Sequence, residues 1–117
     1  RHDDEPSNRA TPLCGTQLPQ LESWSKLDAQ VAATDWTPPQ REVIDRTIPE
    51  MKSFAVETER VGRQSPNPVI EDPAVLSAQY RLAYAAALPT YRPADDNLNL
   101  VATRSISLIY AGCKFTE

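Results

Sequence analysis

Few residues in this 117-residue chain are of a type that does chemistry on its own. The one histidine is His2, inside the polar, proline-bearing stretch Arg1–Leu13. A Ser-His-Asp or Cys-His arrangement needs an imidazole held rigidly beside its nucleophile, and a frayed arm does not hold one. The two cysteines, Cys14 and Cys113, stand 99 positions apart. Zinc and iron sites need clusters of His and Cys, which this spacing does not supply. No phosphate-cradling glycine motif occurs in a chain with 3 glycines. The expectation is a protein that is not an enzyme and has no metal and no cofactor.

The carboxylates read as structural. Asp95 and Asp96 are adjacent, so on a helix they point about 100° apart and share no site. At a helix start they satisfy amide donors and the helix dipole. Glu57 and Arg60 have i,i+3 spacing and read as a solvated pair. The aromatics remain as binding candidates. Tyr91 and Arg92 sit in a proline-bounded turn, and aromatic plus arginine is the composition of interface hot spots. The competing reading is a tyrosine that closes the end of the core with its hydroxyl in water. Trp24 reads as core and Trp36 as a hydrophobic staple at a helix entry. Gln79 and Arg81 lie on the most apolar segment, where a buried arginine calls for a carboxylate partner.

Elements must position these groups, and proline marks their ends: there are 11 prolines. Residues 1–13 read as a linker and residues 14–117 as one helical domain. Leu21, Trp24, Leu27 and Val31 recur at spacings of three and four, which predicts an amphipathic helix through residues 16–36. Thr37 and Gln40 have capping-box spacing, with Pro38 and Pro39 in the first turn. From there Ile44, Ile48, Met51, Ala55 and Thr58 follow one face. Pro49 lies inside that pattern and predicts a kink near residues 45–48, and Gly62 is the expected stop. Residues 63–73 read as the longest loop, with Asp72 and Pro73 opening a third helix that is apolar nearly all round. A helix of that kind is usually the central one of a bundle. Asp95 or Asp96 caps the last element, whose expected face is Leu98, Val101, Ser105, Leu108 and Ile109. Alternation fits a strand over 98–111 as well, and helix is favoured because a lone strand has no partner.

The sum is an all-α fold: a four-helix antiparallel up-and-down bundle. In such a bundle the chain starts and finishes at the same end, so Cys14 and Cys113 meet and close it as a disulfide. Loop-closure entropy gives such a bridge about 4 kcal/mol. A reactive thiol would want an activating neighbour, and Cys113 has only Lys114. Disulfides persist in oxidising compartments, which places the domain outside the cytoplasm. The net charge of −4 argues against binding nucleic acid through phosphates and against a polybasic membrane patch. The first residue is not methionine, so the expectation is that any membrane anchor lies upstream of Arg1.

The Asp35-Trp36-Thr37-Pro38 opening, the run Ser77-Ala78-Gln79-Tyr80-Arg81, the Leu88-Pro89-Thr90-Tyr91 turn and the flanking cysteines carry a resemblance. Over residues 14–113 the sequence is similar to extracytoplasmic helical segments of uncharacterised actinobacterial, particularly mycobacterial, membrane-anchored proteins. The resemblance implies location and architecture and carries no activity. The leading expectation is a non-catalytic extracytoplasmic interaction or sensor module that contacts a protein or envelope component. Its contact surface would be an end formed by Tyr91, Arg92 and the Pro66–Pro73 loop. The alternative is a small-ligand or lipid-binding bundle with an apolar pocket lined by Met51, Phe54 and Tyr84.

Overall fold

A computed structural model describes the backbone of residues 28–116 and the side chains of residues 28–112. Within that span there are three α-helices: α1 (Pro38–Arg63), α2 (Pro68–Ala87) and α3 (Asp96–Thr116). They pack antiparallel, with α2 in the middle and in contact with both neighbours. Short 3-10 turns at Ala33–Asp35, Leu88–Thr90 and Pro93–Asp95 gather at one end. Leu21, Trp24, Leu27 and Cys14 lie outside the described residues, as does the side chain of Cys113, so the first predicted helix is met only at its tail.

That tail is not α-helical. The Asp28 carboxylate accepts the Gln30 amide at 2.9 Å, and the Val31 amide donates to the Asp28 carbonyl. An Asx turn of this kind offers the backbone an alternative to continuing a helix. Val31 therefore sits in a bend and not on a helical stripe.

α1 starts where its sequence says. The Gln40 side chain accepts the Thr37 amide at 2.8 Å, and the Thr37 hydroxyl accepts the Gln40 amide at 3.3 Å. Ile44, Met51, Ala55, Thr58 and Gly62 are its buried face. The helix passes through the exposed Pro49 without a break. It ends one residue beyond Gly62, which has no positive φ. Gly62 is thus a buried packing position and not the helical stop; the last turn is closed by Gln64 and Ser65 amides donating to Val61 and Gly62 carbonyls. Glu57 and Arg60 form the expected exposed ion pair.

α2 begins five residues earlier than Asp72-Pro73 suggested. Asn67 is the cap, its side chain accepting the Val69 amide at 3.0 Å, and Pro68 is the first helical residue. The same logic of cap plus proline applies at both places, and the upstream pair wins. Pro73 then falls inside the helix, where it has no N–H to give the Val69 carbonyl. α3 is a helix and not a strand, and Asp95 accepts the Arg92 amide at 2.9 Å just before it.

The buried face of α3 is rotated from the expected one. Ala102, Ser105, Ile106, Ile109 and Gly112 are buried, while Leu108 is 57% exposed. Small residues line this seam because the two helices approach closely: Ala74, Ser77 and Ala78 on α2 are buried too. The Ser77 hydroxyl donates to the Ala102 carbonyl at 2.9 Å across it. A Cβ on Gly112 would stand 2.8 Å from Val69 Cγ1 and 3.2 Å from the Val69 carbonyl oxygen. Gly112→Val therefore overpacks the seam, and urea unfolding is expected to report a loss of about 1–3 kcal/mol.

Candidate functional site

The apolar interior divides into two clusters. One joins Ile70, Ala74, Ile106 and Ile109 near the α1–α2 link. The other joins Ala33, Ile44, Met51, Tyr84, Ala85, Leu88 and Tyr91 at the end with the 3-10 turns. That second end is built around Tyr91.

Tyr91 is 3% exposed. Its ring meets Tyr84 edge-on at 6.3 Å and stacks on Trp36 at 6.0 Å, 17° between planes. Its hydroxyl donates to the Ala29 carbonyl at 2.8 Å, and its own carbonyl accepts the Ala33 amide at 2.8 Å. The hydroxyl is bonded to backbone and not left in water. Arg92, the next residue, is exposed. The turn thus separates the pair, one side chain inward and one outward. The Pro66–Pro73 segment lies at the start of α2, the opposite end of a 20-residue helix from Tyr91. Tyr91-Arg92 and Pro66–Pro73 do not form one surface.

Burial raises the Tyr91 hydroxyl to about 12, with the Asp96, Asp95 and Asp28 carboxylates adding to it. Burial also raises Tyr84, with Tyr91 and Asp96 contributing. Met51 is fully buried, Tyr84 nearly so, and Phe54 half-buried against the same cluster. The void that Tyr84 borders, with Asp28, Ala29, Trp36, Leu88 and Tyr91, is about 10 Å³. That is room for about one water and no larger ligand. Met51 and Phe54 are not part of its wall.

The larger concavity is on the outside. An open groove of about 530 Å³ is lined by Trp36, Pro38, Arg41, Glu42, Asp45 and Arg46. The capping box sets it up, because the first turns of α1 put Pro38, Arg41, Glu42 and Asp45 on one side at helical spacing. The Arg41 guanidinium lies 5.1 Å above the Trp36 ring, a cation–π contact. Arg41 also donates to the Ala33 carbonyl at 3.1 Å and the Pro89 carbonyl at 3.4 Å. Trp36 is therefore held between Tyr91 and Arg41, half-buried, with part of its surface turned to the groove. Sequence reading gave Trp36 a helix-entry role only. The signal it passed over was the arginine five residues on, in a helix whose phase the capping box had already fixed.

The second polar feature is Arg81, 1% exposed between α2 and α3. It donates to the Asn99 side-chain oxygen at 2.6 Å and the Thr103 hydroxyl at 3.2 Å. Asn99 in turn donates to Asp96 at 3.3 Å, so a carboxylate lies one amide away from the guanidinium. Burial pulls Arg81 down to about 10, which leaves it charged at neutral pH. Gln79, its neighbour in the sequence, is exposed. Among the described residues no group of His, Cys, Asp and Glu is arranged to hold a metal ion, and no helix is long and apolar enough to cross a membrane.

Tyr91 generates a pH prediction. A tyrosine raised in the folded state above its ordinary value of about 10 stabilises the fold fully below that pH. The contribution is lost as pH rises through the folded value of about 12. Tyr91→Phe removes the Ala29 hydrogen bond and is expected to cost about 1 kcal/mol at neutral pH. It is also expected to flatten the alkaline fall in stability, read by urea unfolding at successive pH values.

Comparison with known proteins gives a family. Residues 16–117 match the family described as Mycobacterial ESX-1 associated protein. An uncharacterized protein of Mycolicibacterium smegmatis (strain MKD8) is 36% identical over 110 residues, which is 88% of this chain and 29% of that protein. The chain therefore spans under a third of the length of the relative it matches. No solved structure matches it. The chain belongs to the Mycobacterial ESX-1 associated protein family.

Proposed function

We propose that this chain is a non-catalytic interaction module that works with the ESX-1 secretion system on the extracytoplasmic side of the envelope. The observation that carries the reading is the Trp36 groove. It presents a tryptophan and two arginines, residue types enriched where binding energy concentrates, in a site prearranged by the capping box and Tyr91. Glu42 and Asp45 beside Arg41 and Arg46 give the rim both signs of charge, which favours a protein partner over a uniformly charged polymer. The family description supplies the association with ESX-1. An apolar ligand held between the helices has less support, because the Tyr84 void is about 10 Å³.

The test is co-purification of the tagged protein with ESX-1 components from mycobacterial envelope extract. The expectation is that an ESX-1 component is recovered, and that Arg46→Glu on the groove rim lowers recovery about tenfold or more. Arg92→Ala, outside the groove, should leave recovery unchanged. Absence of ESX-1 components, or equal recovery with Arg46→Glu, overturns the reading.

The same proposal includes the closed form of the fold: a fourth helix from the N-terminal region, and a bridge between Cys14 and Cys113. Its support is topological. Residue 28 leaves at the Tyr91 end, and Gly112 packs against Val69 and Ile70 at the other end. One more antiparallel helix returns Cys14 to the Cys113 end. Intact mass of the native, unreduced protein is expected to fall short of the reduced mass by two hydrogens. Two titratable thiols in the native protein would remove both the bridge and the argument for an oxidising compartment.

A further inference from the structure

On the side of α1 that faces away from its buried residues Ile44, Met51 and Ala55 runs a stripe of four exposed residues: Pro39, Glu42, Arg46 and Pro49. Their spacing is three, four, three, the rhythm by which one helix receives another. The stripe reads alike from both ends in its prolines, and with opposite sign in its charges. Glu42 and Arg46 line the Trp36 groove, with Arg41 and Asp45 beside them. A glutamate four residues before an arginine is placed to pair with it. Glu59 and Arg63 on the same helix do so at 2.9 Å, and Glu57 pairs with Arg60. Among the described residues Glu42 and Arg46 make no such pair, so both charges are open at the groove mouth.

We infer that the occupant of this stripe is a second copy of the chain, whose α1 lies antiparallel across it. The inference rests on the reading of the groove as a binding site and adds what covers it between encounters. Charge selects the occupant. A ligand of one sign meets repulsion from one of the two charges as well as attraction from the other. A fitting partner carries both signs, one helical turn apart and in reverse order. The same stripe, turned about a two-fold axis level with Ile44, meets that requirement. Each Glu42 then faces the Arg46 of the other copy, and each Pro39 faces the other Pro49. A self-complementary patch of this kind is what an isologous interface needs. The proline rings flank the charges and bring no backbone N–H to be desolvated. From Pro39 to Pro49 the stripe runs about 15 Å at helical rise. The contact is therefore small and belongs to the weak, reversible class. Self-association covers the mouth of the groove, so a second copy and an ESX-1 component compete for it.

The test is sedimentation equilibrium of the full chain at low salt, with protein up to about 1 mM. A monomer–dimer equilibrium is expected, with a midpoint on the order of 100 μM, and added salt should weaken it. Glu42→Arg and Arg46→Glu each set like charges across the axis and are expected to weaken the dimer about tenfold or more. An equimolar mixture of these two variants places two arginines against two glutamates and is expected to associate as the parent does. That recovery also shows that neither variant has simply unfolded. Arg104→Glu on α3 should leave the parent equilibrium unchanged. A parent that stays monomeric throughout overturns the inference. So does a dimer that survives both single variants, or a mixture that stays monomeric. The double variant Glu42→Arg/Arg46→Glu separates this inference from the reading it rests on. It is expected to keep the dimer, because both charges are exchanged together, and to lose the ESX-1 component, whose charges are not. A monomeric parent that still recovers an ESX-1 component removes the self-pairing alone. A dimer that recovers none keeps the self-pairing and removes the ESX-1 reading.

Discussion

Tyr91 is the contact on which the end with the 3-10 turns depends. Its hydroxyl and its carbonyl bind two points of the segment before α1, Ala29 and Ala33. Its ring is the floor under Trp36. The connection between α2 and α3 thereby holds the approach to α1, although 50 or more residues of sequence separate them. A phenol suits this place because it supplies a large apolar body and one polar atom. Burying that atom is tolerable only because a backbone carbonyl meets it. Arg41 completes the arrangement from the other side. It donates to the Ala33 and Pro89 carbonyls and lies over the indole. These contacts hold Trp36 and Arg41 in place, and a prearranged side chain loses less entropy on binding than a free one would.

The two seams of α2 are held differently. Against α1 the contacts are apolar, with Met51, Ile44 and Tyr84 in one cluster. Against α3 an apolar cluster of Ile70, Ala74, Ile106 and Ile109 is joined by polar contacts: Ser77 to the Ala102 carbonyl, and Arg81 to Asn99 and Thr103. An apolar seam tolerates sliding by a turn better than a polar one does. Directional bonds buried in low dielectric are costly to break without replacement. The register of α3 therefore follows from Arg81 and Ser77, while Gly112 sets how near its far end can come.

These differences explain what the sequence disclosed and what it did not. The start of α1 was legible because its capping box is a local interaction between residues three apart. Its buried face was legible because Ile44, Met51 and Ala55 are apolar on one side of a polar helix. α3 was legible as a helix but not in its phase. Its interface uses Ala102, Ser105 and Gly112, whose small size matters only once a close neighbour is known. The start of α2 was misplaced because Asn67-Pro68 and Asp72-Pro73 carry equivalent local signals, and tertiary packing decides between them. The Trp36 groove was hidden for a related reason. Trp36 and Arg41 could be seen to share a helix entry, but Tyr91 beneath them is brought there by the antiparallel return of the chain. Cys14 and most of the first predicted helix lie outside the described residues.

The composition of α2 connects these points. A helix at the edge of a bundle needs a polar face for solvent, and α1 has one: Lys52, Glu57 and Arg60 are exposed on it. α2 carries no such face. Where it meets solvent it offers Pro68, Val69, Leu76, Ala83 and Ala86, with Asp72 and Gln79 as its exposed polar side chains. Leaving that seam wet forgoes about 25 cal/mol for every Å² of apolar surface. It also leaves a stripe with a single charge, Asp72, on a chain of net charge −4, where association is less opposed. Helix-forming alanines at those positions are explained by propensity alone, and Val69 and Leu76 are exposed less than Val56 on α1 or Leu108 on α3. Among the described residues α2 is the central helix, with α1 and α3 packed on two of its sides.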